Sequence, residues 1–64
     1  MKFIIHALVK TENYEGVVKP YVNHDCVPTE EFCKNYVRSL YTELGNTGER
    51  IDHNKTEILD IEQY

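Results

Sequence analysis

The sequence has no tryptophan, one methionine, two prolines, three glycines and two cysteines. Two cysteines without a secretory signal point to a reduced, cytoplasmic protein whose thiols are buried or idle, and a Cys26 to Cys33 disulfide is not expected there. Long apolar runs are also missing. Phe3 to Val9 is interrupted by His6 and leads straight into Lys10, Thr11 and Glu12, which is too short for a membrane span and wrongly flanked for a signal peptide. Positive charge is scarce: 7 Lys and Arg stand against 11 Asp and Glu, for a formal net charge of -4. Both halves of the chain are acidic and neither holds a basic stripe, which argues against capture of nucleic acid through its phosphates unless one face gathers Lys2, Lys10, Lys19 and Arg38. Repeats, linkers and low-complexity tracts are absent.

What is present is enough for one fold and little more. At 64 residues and 41% hydrophobic content the chain suits a single small domain spanning residues 1 to 64. A domain of this size buries only about 60% of the surface its unfolded chain exposes, so the core is thin and a deep, walled active site is excluded.

Lys2 to Lys10 alternates as a strand, with Phe3, Ile5, Ala7 and Val9 on one face and Ile4, His6, Leu8 and Lys10 on the other. Both faces carry apolar residues, as a central strand requires. Asn13 and Gly16 mark a turn, and Val17 to Val22 is a second strand that Pro20 assigns to a sheet edge, because proline cannot donate to a ladder on both sides. Thr29 caps a helix whose first turn holds Glu30 and Glu31, and Gly45 is expected to end it after Leu44. Its apolar positions, Phe32 through Leu44, spread over about 180°, wider than one sheet face needs. Lys55 to Gln63 is the third strand, with Leu59 and Ile61 facing one way and Ile58, Asp60 and Glu62 the other. The fold class is α+β: a β-β-α-β domain with one helix packed on a three-stranded, mainly antiparallel sheet in the order 2-1-3.

Glu43-Leu44-Gly45 together with Ile58-Leu59-Asp60-Ile61 resembles the helix-to-strand segment of a class of small archaeal and eukaryotic ribosomal proteins, which also use a β-β-α-β unit. The resemblance implies that element order alone. Those proteins are basic and this chain is acidic, so no RNA-binding role is carried across.

Chemistry-bearing residues are few. His24, Cys26 and Cys33 are the candidate metal ligands, with His6 or His53 to complete a zinc shell, although their spacing lacks the paired Cys-x2-Cys pattern of most zinc sites. Packing of Cys33 in the core and a surface loop at His24 and Cys26 is the simpler expectation. No catalytic residues and no cofactor are assigned, and the protein is expected not to be an enzyme. The sheet face away from the helix is the informative surplus. Ile4 and Leu8, with Val18, Val22 or Ile58, would lie bare there in a monomer, which marks an interface. Ile4, His6, Leu8, Tyr36 and Tyr41 are therefore the expected partner-binding residues, and the expected function is that of an inhibitor or adaptor that binds a protein, of the kind phages and mobile elements encode against host enzymes or defence complexes. A homodimer is a further expected assembly. The alternative is a nucleic-acid-linked module, either a mimic that presents Glu57, Asp60 and Glu62 as a phosphate-like row or a small zinc-stabilised binder.

Overall fold

A computed structural model covering all 64 residues shows one helix on one face of an antiparallel sheet. β1 (Lys2–Lys10) is central, and its odd-numbered residues from Phe3 to Val9 are all buried while the even-numbered ones from Ile4 to Lys10 are partly exposed. Two short strands lie end to end along one of its edges. β2 (Glu15–Val18) pairs with Ala7 to Lys10 and β3 (Tyr21–Asn23) pairs with Lys2 to Ile4. Pro20 sits at the break between them with its ring buried, and its carbonyl still accepts the Ile5 N–H at 2.9 Å, so the edge is continuous in space. β4 (Glu57–Gln63) pairs antiparallel with Phe3 to Leu8 on the opposite edge. The three-ribbon order expected for the sheet is thus present, with the second ribbon split at the proline.

α1 (Glu30–Leu40) starts where the Thr29 hydroxyl accepts the Phe32 N–H at 3.1 Å, and the Glu30 and Glu31 carboxylates stand at the positive end of its dipole. Cys33 and Val37, one turn apart, enter the core beside Ile5, Ala7 and Val9. The helix ends at Leu40, four residues before the expected stop. Tyr41 is already extended, and the chain turns into a small hairpin in which Ile51 N–H donates to Thr42 C=O and Leu44 N–H donates to Glu49 C=O. These bonds occupy backbone groups that a longer helix would need, and the hairpin delivers Ile51 into the core. Gly45 and Gly48, both at positive φ, serve the hairpin turn rather than a helix cap. Short 3-10 turns at Gly45–Thr47 and His53–Lys55 complete the connection to β4.

β4 departs from simple alternation. His6 faces Asp60, the next residue Ala7 faces Ile58, and Leu59 is left as the extra residue of a bulge. Ile58 and Ile61 therefore both turn towards the helix and pack on the core, and Leu59 is 53% exposed. The expectation that Ile58 faces away from Ile61, onto the open face, is corrected by this one-residue insertion. Val18 and Val22 are corrected likewise. They lie opposite Ala7 and Phe3, on the helix side, and the open face receives Val17 and Tyr21 instead.

Candidate functional site

The sheet face away from α1 has no cover. Cross-strand partners share a face in an antiparallel ladder, so the registers place three rows on it. Tyr21, Ile4 and Glu62 form one, His6 and Asp60 the next, and Val17, Leu8 and Glu57 the third. Tyr21 is 62% exposed, Tyr64 56% and Val17 52%, and the two tyrosine rings meet edge to face at a centroid distance of 5.4 Å. Edge-to-face contact holds both rings without removing them from solvent. Apolar and aromatic residues occupy the two outer rows on either side of His6, and β4 gives the face an acidic margin.

The Leu59 bulge builds that margin. Without an extra residue, Glu57 would alternate to the face opposite Asp60 and Glu62; with it, all three carboxylates stand on the open face. Glu62 Oε1 lies 2.9 Å from His6 Nε2, a diagonal contact that fixes the imidazole against β4. Ile4, His6 and Leu8 and the acids Glu57, Asp60 and Glu62, expected as rival sites, thus belong to one surface. Tyr36 and Tyr41 do not join it. Tyr36 stacks near Phe32 and donates its hydroxyl to the Tyr21 carbonyl at 2.8 Å, and Tyr41 packs against the core at the helix end. Both are on the helix side, where they close the margins of the core.

The candidate metal ligands separate as well. Cys33 is fully buried between helix and sheet, whereas Cys26 is exposed in the loop after β3, where His24 Nδ1 lies 3.0 Å from the Cys26 carbonyl and 3.8 Å from its Sγ. The His24 ring meets Phe32 edge-on at 4.6 Å, and no group of three His, Cys, Asp or Glu side chains converges on a metal position. The expected His24, Cys26 and Cys33 set is corrected by the geometry of the helix: Cys33 is one turn before Val37, on the stripe that must face the sheet. Burial, and secondarily the Glu30 charge, push its thiol above the ordinary 9.0. The lysines form no basic patch. Lys2 and Lys10 end opposite tips of β1 with the acids between them, and Arg38 is in the last turn of α1.

Three further residues, Val17, Tyr21 and Tyr64, join the open face beyond those expected there. The signal for the first two was the alternation of Val18, Pro20 and Val22: three apolar residues at even spacing claim the inner face and send Val17 and Tyr21 out. Glu49 serves the fold and not the open face. Its carboxylate accepts from Asn13 Nδ2 at 2.8 Å, from the Thr11 hydroxyl at 2.7 Å and from the Asn13 N–H at 3.1 Å, tying the first turn of the sheet to the hairpin after the helix. These bonds, the Asn13 side chain foremost, hold its carboxyl below the usual carboxylate range. Glu49 has a supporting role, since the contacts it makes are all within the fold.

No family model, no curated protein and no solved structure matches the chain. The resemblance to ribosomal proteins stays confined to its two short segments, and the site stands on its own geometry. No helix is long and apolar enough to cross a membrane.

Proposed function

We propose that this chain is a non-enzymatic protein-binding domain, an inhibitor or adaptor, that docks its open sheet face onto a partner with an apolar centre and Lys or Arg residues along one side. The carrying observation is the sheet face without a covering element, on which exposed Tyr21, Tyr64 and Val17 and half-buried Ile4 and Leu8 are bordered by Glu57, Asp60 and Glu62. A small domain with a bare apolar strip gains by covering it, and exposed tyrosines combine large contact area with few rotamers to freeze. The acidic margin supplies direction, because complementary charge steers and orients a basic partner. The two surface depressions, one lined by Lys10 to Glu15 with Lys55 and one beside β4, are open to solvent, which favours binding over chemistry that must exclude water.

The same acids work against direct nucleic-acid binding, since they share the face that offers aromatic rings for base stacking. The nucleic-acid mimic keeps a specific observation in its favour, the alignment of three carboxylates by the bulge. An apolar strip beside that row is more than a phosphate imitation uses. A homodimer through the β4 edge is opposed by charge, because two copies would set the same acids against each other.

The test is capture from host lysate, after nuclease treatment, with three baits: wild type, Leu8→Glu on the open face and Leu40→Glu on the exposed side of the helix. A stoichiometric protein retained by wild type and Leu40→Glu but lost by Leu8→Glu, with helical circular dichroism unchanged, supports the proposal. Equal retention by all three discards the open face. A partner whose affinity falls steeply between low and moderate salt transfers the weight to the mimic.

A further inference from the structure

The outer edge of β4 is the second unsatisfied surface of the fold. β4 pairs only with β1, and Tyr64 N–H donates to the Lys2 carbonyl at 3.0 Å. Backbone groups alternate between edges in an antiparallel ladder, so the amides and carbonyls of Ile61 and Gln63 point away from β1, towards an unpaired edge. Alongside them lies an open depression of about 330 Å³ lined by Ile58 to Ile61 of β4 and by Glu30 from the first turn of α1, while the register sends the Asp60 side chain to the other, open face of the sheet. An apolar floor beside the Glu30 carboxylate fits a long side chain with an aliphatic stem and a cationic head. Glu30 already meets Lys34 at 3.3 Å, a surface pair exposed enough for an incoming cation to share.

We propose that this edge binds an extended segment of the partner protein, added as a further antiparallel strand, whose Lys or Arg side chain lies in the groove with its head at Glu30. The proposal rests on the protein-binding reading and names the chemistry of what is bound. Main-chain pairing to Ile61 and Gln63 supplies affinity, and the groove supplies selectivity for a basic residue at alternate positions. Glu57 and Glu62 on the open face extend the same preference along the strand. The acids also explain how a free edge avoids pairing with another copy of itself: they repel β4 and accept its electrostatic complement.

The experiment uses a blocked eight-residue peptide alternating lysine and valine, titrated into the intact, isotope-labelled protein and followed by amide hydrogen exchange and chemical shifts. The expected result is slower exchange at the Ile61 and Gln63 amides, weaker binding by a peptide with norleucine in place of lysine, and a loss of about two- to five-fold in affinity for Glu30→Gln, as exposed ion pairs contribute. Gln63→Pro, which removes one outward donor from an exposed position, should weaken binding further. The proposal is overturned if the norleucine peptide binds equally well, if the shifts fall on Val17, Leu8 and Tyr21 with Ile61 and Gln63 unprotected, or if the lysine peptide does not bind at millimolar concentration. Should it fall while Leu8→Glu still abolishes capture, docking through the open face stands without the edge.

Discussion

Truncation of two neighbours on β4 tests the feature that assembles the acidic margin. Simple alternation gives Leu59 and Ile61 the same environment; the bulge gives them different ones. Ile61 faces fully buried Ile5 across the ladder, and Leu59 is half exposed. Cutting Ile61 to alanine removes three methyl or methylene groups from the core and leaves a space, which at the low end of the range for such changes, suited to a partly buried site, costs about 2 kcal/mol. Cutting Leu59 should cost about 0.5 kcal/mol or less, as for other exposed positions. A domain of this length has a total stability of roughly 3–10 kcal/mol, so the larger loss is readily measured. Each kcal/mol moves Tm by about 4–8 °C in so small a domain, which predicts a fall of about 8–16 °C for Ile61→Ala and of at most about 4 °C for Leu59→Ala. Thermal and urea unfolding followed by circular dichroism give both numbers. Equal losses, or a larger one for Leu59→Ala, would refute the bulge and with it the gathering of Glu57, Asp60 and Glu62 on one face.

Two further perturbations follow from the titrating groups. Because the folded pKa of Glu49 lies below the ordinary 4.5, its contribution to stability is present above that value and is lost as pH falls through the folded one. Glu49→Gln should therefore be less stable than wild type near neutral pH and lose stability less steeply on acidification; parallel profiles for the two proteins would dismiss the Asn13 and Thr11 clasp. Cys33, with its pKa raised above 9.0, contributes stability below that pH that is lost as pH rises through the folded value. A thiol reagent at neutral pH should label one equivalent quickly, at exposed Cys26, and a second only on unfolding. Rapid labelling of both would contradict the burial of Cys33.

The parts of the fold legible in the sequence are those encoded within a few residues. β1 shows its two faces by alternation, Thr29 signals the start of α1 through a cap three residues from the amide it serves, and Pro20 marks an edge because its missing donor forbids a central place. The misread parts depend on partners distant in the chain. Leu44 continues the apolar stripe of the helix, yet the helix stops at Leu40 because the Glu43 and Arg50 bridge and the burial of Ile51 outweigh local propensity. Leu59 reads as an inward residue until β1 is set beside it and the register slips by one. The open face was therefore found from Ile4, His6 and Leu8, and its acidic margin was assigned to a different hypothesis.

The central claim is that partners dock on the open sheet face. Oxidative side-chain footprinting of the protein alone and with its captured partner tests it most directly, because the exposed tyrosines stand on different sides of the domain. Docking on the open face predicts protection of Tyr21, Tyr64 and Leu8, with Tyr14 and Leu40 unchanged. Protection of Tyr14 and Leu40, with Tyr21 and Tyr64 as reactive as in the free protein, would contradict it.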